Sequence, residues 1–405
     1  MCKEAKVLLV ISALFTFAIG LSNIFVNVFF WKQTNEFVVI AIYHLTHYVA
    51  TPITFVLAGM LAKKKNGIWS LRIGLLTYAM FFMLILLLGN EVISYIYLLG
   101  VIYGMATGFY WLAFNTLSFD FTHINNRDTF NGFNGSCSGI AAAISPMVSA
   151  YIISIFSGMK GYKVVFALTL AAFLALTLIS ILLKCKSYGH RLNFKRVFSR
   201  NCEEWSILRT STSIWGFRDV IIVFLVNILT IEATNSELSL GKLTLISSMI
   251  SSASYVLVQK LIKPPHRRLS ILIGTLGSFI AVLGLTVNVI FGTLVFYIIM
   301  DAFFLPFFLI QLNSATFNVI DRNHEGDMRI EYMINKDLVL NGGRIISVLI
   351  LIALLSLFKT SSTLKIYLLF LGLVPIISGY FLGRLRGVFE GKDSKILPFH
   401  KRIIR

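Results

Sequence analysis

Apolar runs of more than about 18 residues, separated by short polar stretches, follow one another from the start of the chain to residue 382. Each run is long enough to cross a hydrocarbon layer about 30 Å thick as a helix. The period-two alternation of a membrane barrel strand is absent. A backbone in lipid must satisfy its own hydrogen bonds, so the runs predict helices. Twelve are predicted, at 7–31, 37–62, 68–88, 92–119, 130–156 and 164–183, then 207–231, 240–261, 269–289, 291–320, 338–358 and 364–382. The fold class expected is an all-α membrane protein, with twelve transmembrane helices in two six-helix bundles. Lys3 and Lys6 ahead of the first run resemble a secretory signal, but the run is longer than the 7–15 apolar residues of such signals, so an uncleaved helix is expected.

Composition agrees. The 405 residues are 57% hydrophobic and 13% charged, against about a quarter charged in a soluble domain. The longest polar interruption, near residues 184–209, is too short to bury a core of its own. A net charge of +18 raises the question of nucleic acid, and its distribution answers it: 28 of the 36 Lys and Arg map to one side of the twelve spans and 6 to the other. That bias places both termini in the cytoplasm of a multi-pass cell-membrane protein, makes anionic lipid headgroups the partner of the basic loops, and leaves no role for nucleic acid. Cys2, Cys137, Cys185 and Cys202 follow no metal or disulfide spacing and read as thiols. No metal or cofactor is expected.

The chain divides into residues 1–183, a basic linker at 184–206, residues 207–383 and a basic tail at 384–405. Leu192, Phe194, Val197 and Phe198 in the linker suit either a helix lying on the membrane surface or a solvated connection. The halves echo one another, as parallel repeats do. Gly20-Leu-Ser-Asn23 of span one answers Gly216-Phe-Arg-Asp219 of span seven. Trp111 to Asn115 of span four answers Leu309 to Asn313 of span ten, and Phe133-Asn-Gly135 of span five answers Leu340-Asn-Gly342 of span eleven.

Two echoing sets of six spans joined by a long basic loop resemble the major facilitator superfamily over essentially the whole chain. The loop after span two reads Gly59-Met-Leu-Ala-Lys-Lys-Lys-Asn-Gly67, similar to that family's G-x-L-A-D-R-x-G-R signature, with Lys63 where the family has its aspartate. Gly139 to Pro146 loosely resembles the motif of the family's exporters, and Asn341-Gly-Gly-Arg344 resembles poorly characterised members from low-GC Gram-positive bacteria. The resemblance implies a cavity lined by spans 1, 2, 4, 5, 7, 8, 10 and 11, and a gating role near Lys63.

Charge inside the membrane costs about 2.5–3.5 kcal/mol on insertion scales, so each intramembrane ionisable group is a functional candidate. Arg218, Asp219, Asp301 and Arg344 qualify, and together with Asn23, Asn27, His44, His47, Trp111, Asn115, Gln311 and Asn313 they all fall on the implied cavity set. Adjacent helical residues point about 100° apart, so Arg218 and Asp219 address different neighbours. Arg218 is expected to pair with Asp301, either as a pin in the second half or as an anchor for an anionic substrate group, with Asp219 or Asp301 carrying a coupled proton. Asp219 ranks first, because the repeat sets it opposite Asn23. His44 and His47 share a face and suit proton relay or cavity polarity. Arg344 reads as lying near the cytoplasmic end of its span, clamping a gate with Asp120 or Asp337. The Ser247 to Ser254 run reads as a close-packing face.

No nucleophile elbow, P-loop or metal-protease motif is present, so an enzyme is not expected and any pumping draws on an ion gradient. The reading is therefore a secondary active transporter of a small solute or amphiphile, working by alternating access with protons as partner. A lipid flippase on the same fold and a non-transporting scaffold are the alternatives.

Overall fold

The computed structural model describes residues 2–122, 124–156, 158–184, 203–322, 328–358 and 361–385; most of the basic linker and tail lies outside them. The described chain is helical throughout. The first half runs α1 (Lys3–Thr34), α2 (Phe37–Lys64), α3 (Gly67–Leu88), α4 (Ile96–Asp120), α5 (Ile124–Ile155) and α6 (Lys160–Ile179). In the second half the seventh span is in two pieces, α7a (Glu203–Gly216) and α7b (Asp219–Thr234). It is followed by α8 (Glu237–Leu261), α9 (Arg267–Val287), α10 (Phe291–Arg322), α11 (Arg329–Leu357) and α12 (Ser361–Leu382).

Helix ends are set by local chemistry. The Asn66 side chain accepts from the Ile68 amide to start α3, and that of Ser236 accepts from the Ser239 amide to start α8. Gly89, at φ 55°, turns the chain between α3 and the 3-10 turn Gly89–Tyr95 that leads into α4. The apolar stretch 67–120 is thus two spans. Asn35 and Asn235 close α1 and α7b in the left-handed conformation, where asparagine is tolerated. The preceding threonines act alike: each hydroxyl donates to the carbonyl four residues back, and each accepts from the amide two residues on. The two hairpins are therefore copies of one another, one in each half.

Both halves repeat one packing scheme. α1 packs on α5 and α6, α2 and α3 on α4, and α3 on α6; correspondingly the α7 pieces pack on α11 and α12, α8 and α9 on α10, and α9 on α12. Between the halves, α2 meets α11, α5 meets α8, and α1 meets α7b. Gly100, Gly104 and Gly108 let α4 approach α2 closely: a Cβ there would sit within 2.5–2.7 Å of the carbonyl oxygens of Tyr43, His47 and Thr51.

Two of the departures from the expected boundaries bear on the site. Span seven breaks at Gly216-Phe217-Arg218, where Phe217 and Arg218 bond back only three residues. Span eleven begins at Arg329, nine residues earlier than residue 338, which moves Arg344 from near a helix end to the middle of α11. Glu331, Lys336 and Asp337 make that first stretch look like loop, yet Glu331 is paired with Lys63, Asp337 is engaged by Asn341, and Lys336 extends to the cavity, so the helix continues.

Candidate functional site

Between the halves lies a cavity of about 760 Å³. α1, α2 and α4 supply amides, aromatics and histidines; α7b, α10 and α11 supply Asn227, Asn313, Lys336, Asp337 and Arg344. One wall is thus neutral and aromatic and the other charged.

On the neutral wall, His44 Nε2 lies 3.0 Å from Asn27 Oδ1, and the Tyr48 hydroxyl 3.2 Å from His44 Nδ1. One tautomer satisfies both contacts, with Nε2–H donating to Asn27 and Tyr48 donating to Nδ1. Phe224 of α7b stacks on His44 at 4.4 Å, joining the halves. The Tyr103 hydroxyl donates to Asn23 Oδ1 at 3.1 Å. His47 differs from His44: both of its ring nitrogens are buried without a hydrogen-bond partner. Trp111 is 43% exposed, and Asn115 lies one turn beyond it.

The break in the seventh span sorts the adjacent charges. Arg218 turns to α10, donating to Asp301 Oδ1 at 2.6 Å and to the Tyr297 hydroxyl at 3.2 Å; only 1% of its side chain is exposed. The ion pair expected between Arg218 and Asp301 is present. Arg218, however, lines neither the main cavity nor a second one, so the geometry does not offer it to a substrate. Asp301 and Tyr297 border that second cavity, of about 250 Å³, with Thr244, Ser247 and Ser251 of α8. Of the Ser247 to Ser254 run expected to be a close-packing face, only Ser254 is buried, donating to the Phe303 carbonyl at 2.5 Å, while Ser247 and Ser251 face that cavity.

Asp219 turns the other way and accepts from Arg344, whose Nε lies 3.0 Å away and whose Nη2 also donates. Arg344 Nη1 donates to Asn341 Oδ1 at 3.1 Å, and the Asn341 amide donates to Asp337 Oδ2 at 3.0 Å, giving a chain of charge and amide along α11. Gly216 and Gly343 bring α7a and α11 into backbone contact beside this chain; a Cβ on Gly343 would lie 2.0 Å from the Ser213 carbonyl oxygen. Arg344 is therefore a cavity group at mid-helix rather than a clamp at a helix end. Its carboxylate partner is Asp219, and Asp337 reaches it through Asn341. Asp120 sits in the last turn of α4 and does not line the cavity. Gln311 is buried and lines neither cavity.

Ion pairs bridge the halves at both faces. Lys63, in the last turn of α2, donates to Glu331 in the first turn of α11 at 2.6 Å, and both are buried. At the opposite face Lys32, in the last turn of α1, pairs with Glu237 at the start of α8, and the Tyr162 hydroxyl donates to the same carboxylate at 2.7 Å. In each pair the lysine ends one helix and the glutamate begins the other, so both charges also suit the helix dipoles.

The sequence reading missed Lys336, Asp337 as a cavity group, Asn227 and the two glutamates. Asn227 had a signal. Counting back from the matching Asn35 and Asn235 caps sets Asn27 opposite Asn227 and Asn23 opposite Val223, all four lining the cavity. The alignment of Asn23 with Asp219 is one helical turn away from that register.

Comparison with known proteins agrees with this architecture. The model of the Major Facilitator Superfamily matches residues 8–328. The chain is 37% identical over 391 residues to the uncharacterized protein YqgE of Bacillus subtilis (strain 168), covering 96% of this chain and 90% of that one. Among solved structures, the nucleoside transporter NupG superposes with a TM-score of 0.70 at 12% identity, covering 94% of this chain and 99% of that one. A bacterial homologue of the iron transporter ferroportin in its inward-facing state gives 0.68 at 15% identity, with 95% and 98% covered. The E. coli fucose:proton symporter FucP gives 0.62 at 13% identity, with 94% and 99% covered. By sequence and by fold, the chain belongs to the major facilitator superfamily.

Proposed function

We propose that the protein is a secondary active transporter that moves a small organic solute across the cell membrane by alternating access. The observation that carries this reading is a cavity shared by both halves, with a lysine–glutamate bridge between the halves at each face. If solute enters at one face and leaves at the other, the bridges open in turn. Lys63 and Glu331 then act as the gate of one face, and Lys32 and Glu237 as the gate of the other. The bias of basic residues supports placing the Lys63 face, both termini and the linker in the cytoplasm.

Protons are the coupling ion in this reading, and Asp219 is their carrier. A proton on Asp219 would cancel one member of the Arg344 pair and release Arg344 to the cavity. Asp301 is held by both Arg218 and Tyr297 beside the smaller cavity, which makes it the weaker candidate.

The test is to tie each gate separately. Cysteine pairs replacing Lys63 with Glu331, or Lys32 with Glu237, are expected to stop uptake of a bound solute when cross-linked and to restore it on reduction. Uptake that persists through either cross-link refutes alternating access. In intact cells, an impermeant thiol reagent is expected to label Lys160→Cys and to spare Lys65→Cys; the opposite pattern inverts the topology.

A further inference from the structure

Lys336 stands apart from the other charged groups of the molecule's interior. Arg344 has Asp219, Arg218 has Asp301, and Lys63 has Glu331. The Lys336 ammonium lies half-buried on the cavity wall, and its hydrogen bond is a long one, 3.5 Å to Asn313 Oδ1; no carboxylate lies within ion-pair distance of it among the described residues. Its neighbour Asp337 is engaged by Asn341 and Asp219 by Arg344, so both carboxylates act on the ammonium through space without pairing with it directly. An ammonium has three donors, and with one long amide contact most of its hydrogen-bonding capacity is unused.

The opposite wall carries a second unsatisfied group. Both nitrogens of His47 are buried and unpaired, although His44, three residues earlier, is satisfied on both. Leaving a buried donor or acceptor unmade costs about 1–3 kcal/mol, which a ligand recovers on binding. Trp111, with 43% of its surface exposed, adds a flat apolar face to the same cavity.

We propose that the substrate is an organic anion with a planar ring: its acidic group meets Lys336, its ring lies on Trp111 and its hydrogen-bonding edge meets His47. Arg344 is not the primary anchor, because Asp219 already occupies it. This proposal deepens the transport reading and rests on it for the passage of the bound anion across the membrane, but not for binding itself. A carboxylate and a phosphate share the chemistry that Lys336 recognises.

Matched isosteres separate charge from shape. Thermal shifts of the purified full-length protein are to be measured with nicotinate against nicotinamide, and with uridine monophosphate against uridine. At least one anion is expected to bind tenfold or more tightly than its neutral partner, and the pair that responds tells carboxylate from phosphate. Lys336→Arg is expected to keep the preference and Lys336→Gln to abolish it. Equal binding by the neutral partners, no response to any of the four, or a preference that survives in Lys336→Gln overturns the proposal. The wild-type comparison needs no variant, so it decides even if Lys336→Gln does not fold. Binding of neutral compounds alone would remove the anion class and leave the transport reading to the gate cross-links, which report on it separately.

Discussion

Two arginine–carboxylate pairs sit side by side in the second half, built from consecutive residues of one broken span, and they live in different surroundings. In Arg218 with Asp301 the arginine is sealed, with 1% of its side chain exposed, while Asp301, 15% exposed, borders the smaller cavity, and Tyr297 bonds to both partners. In Arg344 with Asp219 the arginine lines the main cavity and the carboxylate stands behind it, with side-chain exposures of 15% and 21%. The same chemical pair therefore has two physical roles. Around the enclosed Arg218 the pair cancels charge so that α7b and α10 can pack together. Arg344 faces the main cavity, so its pair is placed to be remade with a proton or a ligand.

The comparison breaks most visibly at Arg218. Arg218→Ala leaves the largely enclosed Asp301 without its counter-ion, and breaking a buried pair from one side costs about 3–5 kcal/mol. A large fall in the thermal unfolding midpoint in detergent is expected. The double variant Arg218→Ala with Asp301→Ala is expected to recover much of that loss, since removing both charges removes the desolvation problem. Strictly additive losses would show that the two groups do not interact.

A smaller effect is expected at the contact that positions the open pair. Gly343→Ala places a methyl group 2.0 Å from the Ser213 carbonyl oxygen and 3.1 Å from the Gly216 Cα. Both neighbours are backbone, so α7a and α11 must separate, at a cost of about 1–3 kcal/mol for overpacking. Because the shift falls between Asp219 and Arg344, transport is expected to fall more than stability does. Gly342→Ala, where a Cβ meets nothing within 4 Å, is the matched control and is expected to be close to neutral. Equal effects of the two substitutions would remove the close approach as the cause.

Most of the fold was legible in the sequence, because hydrophobic length is decisive in lipid: a run of about twenty apolar residues has one economical structure. The Arg218–Asp301 pair was legible for a related reason, since two opposite charges at similar depth in one bundle have few alternatives. What failed were inferences from polarity at a boundary. The charged stretch before residue 338 reads as loop, but Lys63 in the other half neutralises Glu331, Asn341 engages Asp337, and Lys336 reaches the cavity, so α11 starts at Arg329. That compensation depends on tertiary contacts that no local pattern carries. The register of the repeats failed for a different reason. Gly20 and Gly216 look alike, but the break after Gly216 spoils register counted along span seven, whereas the Thr34-Asn35 and Thr234-Asn235 caps carry it through their conformation.

The smallest stability change is expected at Asp219, and it sharpens the comparison most. Asp219→Asn keeps the shape and an acceptor oxygen for Arg344 but removes the charge. Arg344 still has Asn341, and Asp337 lies beyond that amide, so the guanidinium is not stranded as Asp301 would be without Arg218. Partial exposure screens the pair further, and the loss is expected to be about 1 kcal/mol. The effect on coupling is expected to be the reverse of this small number. An amide cannot exchange a proton, so in proteoliposomes an imposed pH gradient should no longer drive accumulation of a bound solute, while downhill equilibration continues. Asp301→Asn should show the opposite balance: a larger fall in stability, because the fully buried Arg218 is left with a neutral partner, and gradient-driven accumulation retained by the molecules that fold. Parallel measurement of unfolding midpoint and accumulation ratio on both variants separates the two pairs. Full gradient-driven accumulation by Asp219→Asn would move the coupling proton elsewhere, with Asp337 the next carboxylate on the cavity wall.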